Sequence, residues 1–370
     1  MVGFDATIGD EKMKYYERDD RTISYSEITK YMACPREWMY SYMWGLKPII
    51  PIPRLRLGSL VDAGIEAAIR ANDSGSDVDG CITAANQMIS AAWDEYRGYK
   101  LVAGIFEINP EVEEEGRQTA RDATLIAARA VRSLGLGRGR WKSAEVDGEP
   151  LIQFELIHPI GNGHTFRGFI DWCAIDLEDD SDDVVLIDVK TREKMSKAED
   201  MDFDYQLPLY AHVLREKHGV EVDFHAHFQV RAKVPPKPRQ NKNGKLSKAK
   251  VDTTKEAFFS EVKRLRLDPE EYDSMTFPEF DVLTYRYRSA RECRKTYENA
   301  GIIANQIIRA EAEYRAELEC APRRLHIMQC RMCSRQRLCL ADMNGHDLDP
   351  ILSNYTTKEQ RKEMQNENSQ

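Results

Sequence analysis

At 370 residues, with 42% apolar and 31% charged side chains, the chain has the length and balance of one large globular domain or two small ones. No apolar run approaches the roughly 20 residues that span a bilayer, and the opening MVGFDATIGDEK lacks a secretory signal's basic and apolar regions, so a cytoplasmic protein without a membrane partner is expected. A formal charge of −9 argues against bulk attraction to nucleic acid but leaves room for a local basic channel, since screening over about 10 Å makes local charge decisive.

Residues 1–22 are polar and read as a flexible N-terminus. Ser24 to Trp44 reads as helix, with Ser24 or Ser26 as N-cap and a break at Cys34-Pro35. A second helix over Leu57 to Ala71 completes an N-terminal helical unit, 23–72. After the turn-rich NDSGSDVDG, helices over 81–98 and 111–133 end at LGLGRGR, so 73–140 reads as a helical insertion. The period then changes. Residues 151–157, 166–176 and 183–190 are rich in β-branched and aromatic side chains, with Gly-Asn-Gly and EDDSDD between them, and predict an antiparallel meander. A helix over 198–218 and a strand over 222–233 follow, which gives an α/β core over 141–234.

Residues 231–250 carry eight Lys or Arg and no acid, a loop that either is simply solvated or tracks a DNA backbone. With helices over 253–266 and 289–319 it fills the segment 235–320. A cysteine-rich segment, 321–348, and a polar tail, 349–370, end the chain.

The strongest chemical signal is VVLIDVK, where Asp188 and Lys190 stand two apart on a strand and so share a face. On the preceding strand GFID ends in Asp171, which hairpin pairing brings beside Asp188. Two adjacent carboxylates repel unless a cation lies between them, and oxygen ligands suit Mg²⁺ or Mn²⁺. Such an ion polarises a scissile phosphate and acidifies water, while Lys190 orients that water or neutralises transition-state charge. An isolated Asp-x-Lys is more often a surface ion pair. Gln206 and Tyr210, four apart on the next helix, lie on one face and can both bond phosphate oxygens.

Eight cysteines occur, and Cys330, Cys333 and Cys339 crowd into ten residues, which in a reducing compartment reads as metal ligation. A tetrahedral zinc or a cubane needs a fourth thiolate, and spacing leaves Cys320 and Cys34 both open. Cys81, Cys173 and Cys293 read as ordinary packed cysteines, and Tyr31, Trp38, Tyr40, Tyr42 and Trp44 as packing around the cluster.

The order GFID171, D188VK190T and Q206LPLY210 resembles the catalytic core of RecB-like PD-(D/E)XK nucleases. ISYSEITKYMACPREWMYSY is similar to the opening helix of AddB-type and CRISPR-associated iron–sulfur exonucleases, and the likeness covers about 23–70, 165–215 and 325–342. It implies a restriction-endonuclease-like core, a central mixed sheet flanked by helices. It further implies Asp171 and Asp188 as metal ligands, Lys190 as catalytic, Gln206 and Tyr210 assisting at the DNA end, and a 4Fe–4S cluster on Cys34, Cys330, Cys333 and Cys339.

Relatives usually supply one more metal ligand, a His, from the second helix; LGSLVDAGIEA offers Asp62 there, with Glu66 one turn on as a substitute. The implied function is a Mg²⁺- or Mn²⁺-dependent deoxyribonuclease, an exonuclease on single strands or DNA ends, in recombination, repair, phage DNA metabolism or CRISPR adaptation. No helicase motif is visible, so unwinding is expected of a helicase or recombination partner; the oligomeric state stays open. Two competing readings remain. A catalytically weakened DNA-binding scaffold would bind without cleaving, and a zinc-stapled regulator would hold zinc and no iron.

Overall fold

A computed structural model describes residues 22–48, 53–102, 110–161, 163–178, 182–317, 321–324 and 327–357. The N-terminal third forms β1 (Thr22–Ile23), α1 (Tyr25–Ala33), α2 (Pro35–Trp38) with a π turn (Met39–Met43), β2 (Lys47–Pro48), α3 (Pro53–Asp73), α4 (Val78–Val102) and α5 (Pro110–Leu134). The middle forms β3 (Trp141–Ser143), β4 (Glu145–Val146), β5 (Glu149–Pro150), β6 (Ile152–Gly161), β7 (His164–Asp176), β8 (Asp183–Arg192), a 3-10 turn (Ala198–Phe203), α6 (Gln206–His218) and β9 (Phe224–Arg231). Then come α7 (Lys255–Arg264), a second 3-10 turn (Pro269–Tyr272), β10 (Asp281–Arg286), α8 (Ala290–Glu317), α9 (Ile327–Met332), α10 (Gln336–Met343), α11 (Asp349–Leu352) and β11 (Tyr355–Thr356).

The architecture is α/β, a central mixed sheet flanked by helices. The sheet runs β1-β7-β8-β9-β10, with β3 and β6 also paired to β7. β6, β7 and β8 are antiparallel, as their alternating pattern predicts; β8 and β9 are parallel, joined by α6. One face buries Trp172, Ile187, Phe228 and Val230 under α3, α4 and α5, so the helices of the segment 73–140 cover the core sheet. The other buries Phe166, Leu186 and Ile170 under α1, α6 and α8.

Local chemistry sets the breaks. Ser24 Oγ accepts the Glu27 amide at 3.2 Å and starts α1, and Pro35 ends it and opens α2. The single helix expected over 198–218 is two pieces. Pro208 has no N–H to give the Asp204 carbonyl, so the chain extends at Asp204 (φ −84, ψ 119) and restarts with Pro208 in the first turn of α6. β10 is a strand where the sequence reading had only loop and helix. The basic loop has a fold of its own. Gln240 bridges Leu246, Lys245 pairs Glu271 at 2.7 Å, and Leu246 packs with Phe258, Val262 and Tyr272. Arg231 and Lys233 both pair with Asp252, which removes part of the positive charge offered to a partner.

One tie fixes α5 to the sheet edge. The Arg129 guanidinium pairs with the buried Asp281 at 2.7 Å and donates to the Lys233 and Arg231 carbonyls. Arg129→Ala leaves that carboxylate buried without a partner, so urea unfolding should register a loss of about 3–5 kcal/mol.

The N-terminal helices and the C-terminal segment are stitched together. β2 pairs β11, Arg36 N–H donates to the Pro322 carbonyl at 3.2 Å, and Asp342 accepts from Arg36 (3.0 Å), Tyr40 (2.6 Å) and Arg323 (2.6 Å). Among the described residues, no helix is long and apolar enough to cross a membrane.

Candidate active site

β7 and β8 bring the acids together. Their ladder runs to Trp172↔Ile187, and one step further Asp171 stands in register with Asp188. There the pairing yields to the Asp171 side chain, whose Oδ2 accepts the Val189 amide at 2.8 Å. Gln153, opposite on β6, has a left-handed backbone (φ 49) and reaches Asp171 Oδ1 with its amide nitrogen at 3.4 Å. A non-glycine residue held there stores strain of the kind found at functional sites.

Asp188 is 2% exposed. Its Oδ1 lies 2.7 Å from Lys190 Nζ, and its Oδ2 has no hydrogen-bond partner. Lys190 also donates to Gln206 Oε1 at 3.5 Å, and the Gln206 amide reaches the Tyr210 hydroxyl at 3.4 Å. Tyr210 lies against Gly168, where a Cβ would come within 2.9 Å of its ring, so the glycine makes room for it. From the opposite layer, Asp62 on α3 accepts the Thr191 hydroxyl at 3.0 Å at the solvent-facing mouth. The structure thus gathers Asp62, Asp171, Asp188, Lys190, Gln206 and Tyr210 into one place. Glu66 is near enough for its charge to act on Asp171, but Arg70 holds it at 3.0 and 2.9 Å.

The electrostatics describe a cluster short of positive charge. Although Asp62 still reaches solvent at the mouth, partial desolvation by the surrounding protein pushes it up to about 7; Asp171 and Asp188 add to this, against the Thr191 hydrogen bond and Lys190. Burial likewise pushes Asp188 up to about 6, with Asp171 adding and Lys190 opposing, and it raises Asp171. For Lys190, burial works downward, but Asp188 and Asp171 outweigh it and hold the ammonium above its ordinary range. Raised carboxylates around an unpartnered buried oxygen fit a divalent cation with oxygen ligands.

Sequence reasoning missed two residues here. His227 pairs across from Asp188 on the β8–β9 ladder, and its Nε2 lies 3.0 Å from Asp204 Oδ2 and 3.9 Å from Asp188 Oδ2. Asp188, Asp204 and His227 are the one set of three whose candidate ligand atoms all lie within 4.8 Å of one another among the described residues. Burial acts to raise Asp204, but His227 and the Gln206 amide outweigh it and hold the carboxyl below the usual range. The available signal was FHAHFQVR, where His225, His227 and Gln229 alternate along a strand expected to be buried.

The cysteines gather at the other end of α1. Cys34 caps that helix and acts electrostatically on Cys333. The Arg335 amide lies 3.4 Å from Cys333 Sγ, and Arg323 Nε lies 3.4 Å from Cys339 Sγ. Among the described residues, no three cysteine sulfurs lie within 4.8 Å of one another. Cys320 lies outside the described residues, while Cys81, Cys173 and Cys293 are buried and apart.

The family model of the PD-(D/E)XK nuclease superfamily matches residues 22–340. The chain belongs to that superfamily, and its central mixed sheet flanked by helices is consistent with that fold. A comparison with curated proteins gave no match.

Proposed function

We propose that the protein is a divalent-metal-dependent deoxyribonuclease that digests DNA from single strands or ends, with an iron–sulfur cluster as a structural clasp. The observation that carries the nuclease reading is the buried, unpartnered Asp188 Oδ2 among Asp171, Asp62 and Lys190. On this reading Asp62, Asp171 and Asp188 close on the ion from a wider spacing than that of Asp188, Asp204 and His227, and His227 bridges Asp188 and Asp204 at 3.9 and 3.0 Å. When bound, Mg²⁺ or Mn²⁺ supplies Lewis-acid polarisation of the scissile phosphate and lowers the pKa of water. Lys190 donates to the phosphate oxygen that gains charge and orients the attacking water. Gln206 fixes the ammonium from the side, and Tyr210 steadies Gln206. Exonuclease action, and service beside a helicase or recombination partner, follow the resemblance of the ordered motif to RecB-like enzymes. The deciding experiment is cleavage of end-labelled oligonucleotides with Mn²⁺; no cleavage under any divalent ion would leave the scaffold reading in its place.

Metal binding should be pH-dependent. Near pH 5 Asp188 and Asp62 keep protons that the ion must displace, so calorimetry should find Mn²⁺ affinity at least about tenfold higher at pH 8 than at pH 5. Without metal the sign runs the other way. Their pKa values exceed the unfolded value of about 3.9, so their stabilisation is complete below it and is lost as pH rises through about 6 to 7.

For the cluster, support comes from Cys34 lying within electrostatic reach of Cys333, and from the Arg323 guanidinium and the Arg335 backbone amide, each 3.4 Å from a sulfur of the array. A tetrahedral zinc draws its thiolates to about 3.8 Å from one another. The likeness to iron–sulfur exonucleases, not the spacing of these sulfurs, selects a cubane on Cys34, Cys330, Cys333 and Cys339 over zinc.

A further inference from the structure

Beside the acidic site lies a groove of about 550 Å³ between α1, the start of α6 and the middle of α8, lined by Tyr25, Met32, Phe203, Tyr205, Asn299 and Ile303 among others. Phe203 is 75% exposed and Tyr205 54%, and Tyr287, just after β10, is 71% exposed. They are the three most exposed aromatic side chains among the described residues. Gathered aromatic surface of this kind marks a binding site.

The groove shares α1 and the start of α6 with the surroundings of the acidic cluster. Tyr25 walls it and lies within electrostatic reach of both Asp204 and Asp188. Tyr205 immediately precedes Gln206, whose amide bonds Asp204 at 2.7 Å. The turn carrying Phe203 is braced from outside. Arg286 pairs with Asp202 at 3.1 Å, and Arg288 donates to the Asp202 carbonyl at 2.9 Å. Phe203 and Tyr205 therefore stand on a fixed support, at low ordering cost to a ligand. Exposed Lys295 sits one turn before Asn299 on the same side of α8.

We infer that this groove takes the unpaired bases of a single DNA strand whose backbone crosses Asp188 and Lys190, with Phe203 and Tyr205 stacking on successive bases. This rests on the nuclease reading of the adjoining site. Open ring faces reward a strand whose bases are free, because every base has a π face. A duplex keeps those faces against its own neighbours and offers only edges and phosphates. Adjacency to the proposed phosphate-binding centre and the exposed Lys295 favour a nucleic acid over an apolar peptide.

The test is fluorescence anisotropy of the full chain in EDTA at fixed salt, with labelled oligothymidine, the same strand carrying abasic spacers, and a blunt duplex. The Phe203→Ala/Tyr205→Ala variant should bind oligothymidine about tenfold or more weakly, with abasic and duplex affinities within about twofold of wild type. An unchanged oligothymidine affinity, or an equal loss on all three probes, overturns the inference and hands the groove to a protein partner. Wild type alone gives a check that needs no variant: it must hold oligothymidine about tenfold or more tightly than the abasic strand, and equality overturns the inference too. Lys190→Ala separates the two readings. Lys190-dependent cleavage without base-dependent binding sinks only the groove, and base-dependent binding without cleavage sinks only the nuclease.

Discussion

Replacing Lys190 with alanine should slow DNA cleavage by about 10²–10³-fold while leaving the fold intact. The ammonium is the positive group inside the acidic cluster, 2.7 Å from Asp188 Oδ1 and within reach of Gln206. Its loss removes charge stabilisation when charge builds on the phosphate, and it leaves Asp188 and Asp171 to repel each other. Two effects follow. The rate of cleavage at saturating Mn²⁺ falls, and in the metal-free protein the thermal midpoint falls too, because the buried Asp188 has lost its ion-pair partner. Asp188→Asn should be more severe, about 10³-fold or more, since it removes a proposed ligand as well as the charge. Gel assays on end-labelled strands across a Mn²⁺ titration check both, and wild-type rates in Lys190→Ala would refute the mechanism.

Cys333→Ser should cost the protein its iron and much of its stability. The proposed clasp closes a loop of about 300 residues between Cys34 and Cys330, and long loops gain most when closed. Even about 5 kcal/mol, modest for a structural metal centre, would lower the midpoint by about 6 °C in a chain this long. Anaerobic purification followed by iron analysis, absorbance near about 400 nm and calorimetric melting checks it. Stoichiometric zinc without iron would favour the stapled-regulator reading instead.

Much of the sheet was legible because its strands alternate and are separated by strong turn formers; β6, β7 and β8 follow the expected meander. Asp171, Asp188 and Lys190 could be read together because strand periodicity and hairpin register are local rules. Gln206 and Tyr210 followed from helical spacing. Asp204 and His227 were hidden for the opposite reason. Asp204 sits where Pro208 forces a break inside what reads as one helix, and His227 meets Asp188 only through the parallel crossover to β9. β10 escaped notice because it carries no fully buried apolar side chain and its pairing with β9 spans a long excursion. Asp62 reached the site through a family likeness. Its bond to Thr191 depends on how α3 lies across β8, which no local pattern encodes.

α1 has a mechanical meaning beyond its caps. Its nine residues form a strut of roughly 13 Å with Cys34 at one end and Tyr25, facing Asp188 and Asp204, at the other. If the proposed cluster is seated on Cys34, an oxidant that strips its iron would slacken the anchor of that strut, so damage far from the phosphate should still be felt there as a loosened wall. Survival of the clasp and catalytic competence are then expected to fail together.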